Sequence, residues 1–145
     1  MRYKNTKTKK IFEITKGENQ FDAQELSGAD KGHIDYQIKG NAMDLKNMFS
    51  VPEEGSGLGS LLLFLAVKDA VAKKCELVEI SNAALDARGF YFKMGCRKPV
   101  TSILDGGDFT PEEREKLLTQ CPVGGEAMEV LNASHAKMFE RWEPA

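Results

Sequence analysis

A glycine-rich stretch separates an apolar segment that ends at Pro52 from a long apolar run. It reads Gly55-Ser56-Gly57-Leu58-Gly59-Ser60. Because glycine has no β-carbon, the backbone amides of such a loop can approach an anion closely and donate hydrogen bonds to it. The N-terminus of a following helix adds about half a positive charge. The pattern predicts a phosphate or diphosphate site, and its simple alternative is a strand-to-helix connection without a ligand.

Spacing excludes two familiar phosphate-binding motifs. A P-loop requires GxxxxGK[ST], and this loop contains no lysine. The dinucleotide fingerprint requires GxGxxG, whereas the sequence here is GxGxG. The loop by itself therefore does not identify its ligand.

The cysteines and histidines form no metal-binding pattern. Cys75, Cys96 and Cys121 are widely spaced and include no CxxC pair, whereas a structural zinc site usually takes four ligands at short spacings. We interpret them as reduced, mostly buried thiols and expect no metal site. No carboxylate or nucleophile stands near His33 or His135 in the sequence at a spacing that indicates a catalytic pair, so we interpret them as surface or capping residues.

The composition is typical of one globular domain. The chain has 145 residues, of which 41% are apolar and 29% are charged, and its formal net charge is -2. These values exclude a disordered, collagen-like or disulfide-stapled chain, and they give no indication of a nucleic-acid partner. We expect a single domain over residues 1–145, with a basic, solvated leader at 1–10 and a helical tail at 132–145.

The sequence contains no segment typical of export or of a membrane span. No apolar h-region follows the basic first ten residues, so no secretory signal is predicted. The longest apolar run, residues 61–67, is far shorter than the roughly 20 residues of a membrane-spanning helix. We therefore expect a soluble, cytoplasmic protein. Trp142, near the C-terminus, is expected to anchor the tail to the domain or to form part of a dimer contact.

The first half of the chain has the period-two pattern of β-strands. Apolar and polar residues alternate over residues 34–38, and the Gly-Asn pair at 40–41 is typical of a hairpin turn before a return strand at 42–51. Residues 10–15 are also predicted to form a strand. The segment 17–32 is polar and rich in turn residues, so we predict at most one short helix within it, at residues 23–26.

The second half alternates helices and strands. The long apolar run predicts a helix over residues 57–74 that is apolar almost all round and must be covered on more than one side. A short apolar run predicts a buried, parallel strand at 76–80. The order indicates an α/β fold with crossover helices. Three further elements are predicted: a helix over 83–94 that ends at Gly95, a strand over 98–104, and a helix over 111–120 that begins at the capping box of residues 110–113. Residues 126–131 form either a final strand or the beginning of a helix that runs to Arg141, and we favour a strand followed by a short helix from Ser134.

Two motifs, in this order, resemble those of the GCN5-related N-acetyltransferases, or GNAT enzymes. The central motif of that family is a strand followed by [Arg/Gln]-x-x-Gly-x-[Gly/Ala], which corresponds here to EGSGLG at residues 54–59. Its next motif ends in a pattern like Tyr-x-Lys-x-Gly-Phe, which corresponds to YFKMGC at residues 91–96. The resemblance implies a single-domain fold built on a mixed, mainly antiparallel sheet, with a splayed central parallel pair and flanking helices.

The resemblance also implies a function and a set of site residues. GNAT enzymes transfer an acetyl group from acetyl-CoA to an amine by direct attack in a ternary complex, and their loop amides hold the diphosphate. Tyr91 corresponds to the phenol that protonates the departing thiolate. The cofactor is expected along a strand end and the loop, at Phe49, Ser50 and Val51 and at Glu54, Gly55, Ser56, Gly57, Leu58, Gly59 and Ser60.

Glu79 is the candidate for the general base. It lies in an otherwise apolar strand, where a glutamate is either exposed at a sheet edge or partly buried with a raised pKa, which suits a base that works through water. Asp44, on the preceding strand, is the second candidate. The alternative for Glu79 is a structural role as a carboxylate paired with a cation. The alternative for Tyr91 is packing in the core beside Phe90 and Phe92.

Two departures from the family pattern keep other functions open. Glu54 stands where the family has arginine or glutamine, and residues 17–32 are too few for the two helices that usually wall the acceptor site. One alternative is a non-catalytic GNAT-like module that binds acyl-CoA or a partner protein. Another is an unrelated nucleotide-binding α/β domain. The sequence does not identify the amine acceptor, and homodimerisation is common in the family.

Overall fold

The computed structural model describes residues 1–51, 57–80, 88–96, 98–99, 110–112 and 123–145. The helices are α1 (Leu58–Ala72), α2 (Arg88–Lys93) and α3 (Ala127–Phe139). The strands are β1 (Arg2–Asn5), β2 (Ile11–Gly17), β3 (Gln20–Glu25), β4 (Lys31–Lys39), β5 (Ala42–Val51), β6 (Leu77–Ile80), β7 (Lys98–Pro99), β8 (Val123–Glu126) and β9 (Trp142–Pro144).

These strands lie in one sheet, in the order β7-β8-β6-β5-β4-β3-β2-β1-β9. Within the described ranges, β5 and β6 are the one parallel pair, and the other neighbours are antiparallel. The parallel pairing covers only residues 42–45 of β5, whereas β5 itself runs on to Val51. The second half of β5 therefore has no described neighbour on its β6 side. The mixed, mainly antiparallel sheet with a central parallel pair is confirmed.

Helix α1 lies at the centre of the core. Leu58, Leu61 and Leu62 are fully buried, because one side of α1 packs on β4 and another on α3. Gly32 permits the close approach of β4, since a β-carbon at this position would lie 2.9 Å from Leu62 Cδ1 and 3.3 Å from Leu58 Cδ1. The prediction of a helix that is apolar almost all round and covered on more than one side is confirmed.

A polar cluster lies in the core at the C-terminal half of α1. Asp69 is buried, and its carboxylate accepts a hydrogen bond from Tyr36 Oη at 2.6 Å. It also pairs with Lys16 Nζ at 3.0 Å and with Lys73 Nζ at 3.0 Å. Burial acts to raise the pKa of the Asp69 carboxyl, but the hydrogen bonds from these three donors outweigh it and hold the pKa below its ordinary value. The cluster joins α1 to β2 and β4.

The N-terminal segment is structured, so the expectation of a solvated leader at residues 1–10 is wrong. β1 pairs with both β2 and β9. Asn5 is buried and orders the turn that follows, because its Oδ1 accepts hydrogen bonds from the amides of Lys7 at 2.9 Å and Thr8 at 3.1 Å. The prediction was wrong because it rested on the basic side chains. The side chains of the turn after β1 are indeed exposed, but the backbone of β1 pairs with its neighbours.

The predicted short helix at residues 23–26 is also wrong. Residues 20–25 form β3, in which Phe21 and Ala23 are buried between more exposed polar neighbours. The chain enters β3 through a turn at Asn19, whose φ of 51° lies in the left-handed region that asparagine tolerates. The turn residues on both sides of this short alternating run concealed the strand pattern.

The C-terminal region differs from its prediction in its boundaries. β8 ends at Glu126 and α3 begins at Ala127, so residues 127–131 are helical, and the tail over 132–145 is the end of α3 followed by β9. The Gly-Gly pair at 124–125 lies inside β8. A β-carbon at Gly125 would lie only 2.5 Å from the Gly95 carbonyl oxygen. This glycine therefore serves close packing. The favoured strand over 126–131 is wrong, and the alternative helix beginning in this segment is correct.

The other predicted elements are confirmed as far as they are described. The strands at 10–15, 34–38, 42–51 and 76–80 are β2, β4, β5 and β6. Helix α2 ends before Gly95, whose φ is 93°, and the Cys96 amide donates to the Tyr91 carbonyl at 2.9 Å. Only residues 98–99 of the predicted strand at 98–104 are described, and only residues 111–112 of the predicted helix at 111–120. The rest of both elements lies outside the described residues. Cys75 and Cys96 are buried free thiols, as expected.

We predict that Tyr36→Phe lowers the free energy of unfolding by about 1.5–3 kcal/mol at pH 7, the usual range for a hydrogen bond to a charged group. Because the pKa of Asp69 is lowered on folding, its stabilising contribution is present above the ordinary carboxyl pKa and is lost as the pH falls through the folded-state value. Urea unfolding at pH 7 and pH 3 measures both effects, with a smaller loss expected at pH 3.

Tyr3→Phe is the matched control, since Tyr3 Oη makes no hydrogen bond to a described residue. Equal unfolding free energies for Tyr36→Phe and Tyr3→Phe at pH 7 would contradict a stabilising role for the cluster.

Candidate functional site

Gly57 begins helix α1 in a left-handed conformation, with φ 70° and ψ 1°. As the N-cap residue it offers no side chain to the amides of the first turn, and that turn contains no acidic residue. Ser60 Oγ donates a hydrogen bond back to the Gly57 carbonyl at 2.9 Å. The positive end of the helix dipole is thus not neutralised by an acid within the first turn. Glu54, Gly55 and Ser56, predicted to bind the same ligand, lie outside the described residues.

The chain end supports Gly57 from the other side. Trp142 Nε1 donates a hydrogen bond to the Gly57 carbonyl at 3.0 Å. The indole is 2% exposed and meets the ring of Phe12 edge-on, with centroids 5.4 Å apart. A β-carbon at Gly57 would lie 3.3 Å from Arg141 Cδ and 3.6 Å from Arg141 Nη1. Trp142 therefore anchors the tail to the domain, and it brings a guanidinium group to the start of α1.

Gly59 brings the two motif blocks together. A β-carbon at this position would lie 3.3 Å from Phe90 Cζ on α2 and 4.0 Å from Met48 Cε on β5. An alanine at this position would require the Phe90 ring to shift by a few tenths of an ångström, so the glycine allows close packing between α1 and α2. The start of α1, the end of β5 and the helix that carries Tyr91 consequently meet in one region.

The end of β5 presents an apolar edge to this region. Phe49 is 51% exposed and Val51 is 47% exposed, although both are large apolar residues. Ser50, between them, is half-buried. These three residues follow the part of β5 that pairs with β6. Exposed apolar side chains beside a strand edge that has no neighbour among the described residues can contact an extended ligand that adds to the strand.

Tyr91 is buried beside this region. Its side chain is 5% exposed and meets the ring of Phe90 edge-on, with centroids 5.3 Å apart. Burial, with a smaller contribution from Cys96, raises the pKa of the Tyr91 phenol to about 12. Burial also raises the pKa of the Cys96 thiol to about 12. Tyr91 therefore keeps its proton at neutral pH, and Cys96 is not a thiolate nucleophile.

The two carboxylates considered as bases differ in their environments. Asp44 and Glu79 are partners in the parallel register of β5 and β6. Asp44 is buried and forms ion pairs with Lys46 Nζ at 2.7 Å and Lys39 Nζ at 3.6 Å. Glu79 is half-buried. The ion pairs give Asp44 a structural role, which leaves Glu79 as the stronger candidate for proton transfer.

His33 lies between two carboxylates, which corrects its interpretation as a simple surface or capping residue. Its Nδ1 lies 2.7 Å from Asp22 Oδ1 and its Nε2 lies 2.6 Å from Asp35 Oδ2. The imidazole also stacks on Phe49, with centroids 5.5 Å apart. Partial burial opposes the charged imidazole, but the hydrogen bonds to Asp22 and Asp35 outweigh it and raise the pKa of His33. The antiparallel register that aligns these residues is not visible in the sequence.

Two classes of feature are absent from the parts of the chain described here. In these ranges no helix is long and apolar enough to cross a membrane. The same ranges contain no group of three or more histidine, cysteine, aspartate or glutamate residues placed to hold a metal ion.

The fold is similar to that of known acetyltransferases. The crystal structure of Tetrahymena GCN5 matches with a TM-score of 0.51 and 12% sequence identity, over 77% of this chain and 70% of that chain. The chain has a GNAT-like fold. At this identity the similarity establishes the fold and not the substrate.

Two other solved structures are similar at lower scores. A Bacillus subtilis acetyltransferase in complex with CoA has a TM-score of 0.47 and 12% identity, over 79% of this chain and 97% of that chain. Nourseothricin acetyltransferase has a TM-score of 0.49 and 16% identity, over 86% of this chain and 87% of that chain. No protein-family model matches the sequence, and no curated protein is significantly similar to it.

We predict that Gly57→Ala destabilises the protein more than Gly40→Ala does. Both glycines have positive φ, 70° and 60°, so each alanine incurs the left-handed penalty of about 1–2 kcal/mol. A β-carbon at Gly57 would also crowd Trp142 Nε1 at 3.3 Å, whereas one at Gly40 would meet nothing within 4 Å. Urea unfolding should show an additional loss of about 1 kcal/mol or more for Gly57→Ala. Equal losses would show that the chain end does not constrain the loop.

We predict that His33→Gln removes a pH-dependent part of the stability. Because the pKa of His33 is raised on folding, the protonated imidazole stabilises the fold fully below about pH 6.5, the ordinary value. This contribution is lost as the pH rises through the folded-state pKa. Chemical unfolding from pH 5 to pH 9 should show a decline that is smaller in His33→Gln and in Asp35→Asn. Identical pH profiles for wild type and both variants would contradict the prediction.

Proposed function

We propose that the protein is an acetyl-CoA-dependent N-acetyltransferase that acetylates an amine by direct attack in a ternary complex. The observation that carries the proposal is the meeting of three elements within a GNAT-like fold: the left-handed Gly57 at the start of α1, the exposed end of β5 and the helix that carries Tyr91. A diphosphate would bind at the start of α1, and the pantetheine arm would lie along Phe49, Ser50 and Val51.

The proposed chemistry assigns proton transfers to two side chains. Acetyl-CoA, when bound, supplies an activated acyl carbon that a neutral amine can attack, so that a C–N bond forms and the C–S bond breaks. Tyr91 Oη donates its proton to the departing sulfur. Glu79 accepts, through water, the proton that the amine loses. The half-buried position of Glu79 and the ion pairing of Asp44 support this assignment.

The burial of Tyr91 sets the protonation state from which it would act. With a pKa of about 12, the phenol is fully protonated at neutral pH and can protonate a thiolate as it forms. A pH–rate profile below pH 10 should therefore contain no step that belongs to Tyr91.

A second candidate function is a non-catalytic acyl-CoA-binding module. The observation that favours it is β3, since residues 20–25 add a strand to the sheet where the family commonly has helices that wall the acceptor site. The start of α1 and the end of β5 would serve this function equally well. Turnover separates the two candidates, because both bind the cofactor.

We predict that Tyr91→Phe lowers kcat about 100-fold or more and leaves the affinity for acetyl-CoA unchanged, since general acid catalysis contributes at least this factor. The assay measures transfer of radiolabelled acetyl to a panel of small amines, amino acids and peptides. Glu79→Gln should lower kcat in the same way, and Tyr3→Phe is the matched control. Wild-type acetyl-CoA binding without transfer to any amine in the panel would favour the binding module. Full activity of Tyr91→Phe would exclude Tyr91 as the acid.

A further inference from the structure

We propose that protonated His33 positions the ring of Phe49 for the acyl donor, so that coenzyme A binds more tightly when this imidazole carries its proton than when it is neutral. The inference rests on the proposed function, because it takes the pantetheine arm to lie along the end of β5. It adds to that site a positioning residue and a dependence on pH. His33 lies on β4, between Asp22 on β3 and Phe49 on β5 in the antiparallel register.

The first observation is that both ring nitrogens of His33 face carboxylates. Nδ1 lies 2.7 Å from Asp22 Oδ1, and Nε2 lies 2.6 Å from Asp35 Oδ2. An ionised carboxylate only accepts hydrogen bonds, whereas a neutral imidazole donates from one nitrogen and presents a lone pair at the other. The neutral ring would therefore direct its lone pair at one of the carboxylates, and the imidazolium donates to both. This geometry selects the protonated ring.

The groups around the imidazole favour its positive charge. Alternation along the strand places Lys31 and Asp35 on the same face of β4 as His33, and Asp22 faces it from β3. Lys31 is exposed, and it forms no ion pair with a carboxylate of the described residues. From β5, Asn47 Nδ2 donates to both oxygens of Asp35 at 3.2 Å, which fixes this carboxylate beside the ring. The imidazole is thus held between two acids.

The second observation is the stack of this imidazole on Phe49. The ring centroids lie 5.5 Å apart, and the ring planes make an angle of 28°. A cation within about 6 Å of an aromatic face is attracted by it, so the charged imidazole holds the phenyl ring more strongly than the neutral one does. Phe49 is 51% exposed, and among the described residues the ring stacked on it is that of His33. The hydrogen bonds of the imidazole therefore restrain the phenyl ring.

The third observation is the position of Phe49 in β5. The strand pairs with β6 only over residues 42–45, and Phe49 lies beyond them, where no described residue pairs with that edge. A ligand that adds to this edge would meet the phenyl ring. A ring that is already held in place loses less conformational entropy when the ligand binds. His33 contributes through Phe49, and it is therefore a positioning residue.

The direction of the pH dependence follows from the same contacts. Partial burial opposes the charged imidazole, but the hydrogen bonds to Asp22 and Asp35 outweigh it and raise the pKa of His33 above its ordinary value of about 6.5. The imidazolium is therefore the main form at pH 5.5, and it is lost as the pH rises through the folded-state pKa toward pH 9. The tighter binding of coenzyme A is expected on the acid side.

The experiment compares two ligands that differ in the pantetheine arm. Calorimetry at pH 5.5 and pH 9 measures the binding of coenzyme A and of 3′-phosphoadenosine 5′-diphosphate, which is its nucleotide half without the arm. Each affinity is expressed relative to wild type at the same pH, so that titration of the ligand itself cancels. The variants are His33→Gln and Asp22→Asn, each also combined with Phe49→Leu. Thermal unfolding of each variant shows whether the fold is intact.

His135→Gln is the matched control, since His135 is the other histidine of the chain. Its ring also contacts aromatic rings, with centroids 5.1 Å from that of Phe64 and 5.2 Å from that of Phe139. In contrast to His33, it pairs with no carboxylate among the described residues. This variant should match wild type with both ligands at both pH values.

We expect His33→Gln to weaken coenzyme A binding about threefold to fivefold at pH 5.5, the size of an exposed contact between a cation and an aromatic ring. At pH 9 it should lie within about twofold of wild type. Asp22→Asn should match wild type at pH 5.5 and bind coenzyme A about threefold more tightly than wild type at pH 9, because an asparagine amide can donate to the neutral ring. Affinities for the nucleotide half should change by less than about twofold. In the Phe49→Leu background the effect of His33→Gln should disappear.

Three results would overturn the inference while the proposed function stands. They are an unchanged coenzyme A affinity in His33→Gln at pH 5.5, a loss that is the same at both pH values or with both ligands, and a loss that persists in the Phe49→Leu background. Should His33→Gln fail to fold, Asp22→Asn decides, and an affinity equal to that of wild type at pH 9 overturns the inference. Wild-type protein that binds no coenzyme A overturns the proposed function and, with it, this inference.

Discussion

The hydrogen bond from the Trp142 indole to the Gly57 carbonyl joins the last strand of the sheet to the first turn of the central helix. Gly57 has a left-handed conformation, which glycine adopts without strain, and its carbonyl accepts this bond as well as the one from Ser60 Oγ. The bond depends in turn on the pairing of β9 with β1 and on the contact between Trp142 and Phe12. The conformation of the candidate anion site is therefore set by residues at both ends of the chain.

Local patterns predicted the elements that carry their own periodicity. Alternation in β4 and β5 and the continuous apolar run of α1 are each visible within about a dozen residues, and the structure has all three. β3 was missed because its alternation is short and is bracketed by turn residues. The favoured strand over 126–131 was wrong, and the alternative of a helix there was right. The close packing of Gly125, where a β-carbon would lie 2.5 Å from the Gly95 carbonyl oxygen, is not visible in the sequence.

The candidate site was predictable only in part, for a related reason. The glycines of the loop and Tyr91 belong to contiguous motifs, so the resemblance of these motifs to those of GNAT enzymes singles them out. The environment of His33 arises from cross-strand register, which brings Asp22 beside it from β3. Arg141 lies 84 residues after Gly57 in the sequence. It reaches Gly57 because β9 pairs with β1, and no local sequence pattern predicts β9 or that pairing. Long-range pairing is what a single sequence specifies least directly.

The pairing of β1 with β9 also has a kinetic meaning. Tyr3 is aligned with Pro144, about 140 residues away along the sequence, and contacts of such separation form late because a long loop must close first. During synthesis β2 to β5 and α1 can assemble while β1 still lacks its second neighbour. The start of α1 acquires the support of Trp142 only after β9 has been synthesised and has left the ribosome. The conformation that Trp142 gives to the start of α1 is thus expected to be acquired late in folding.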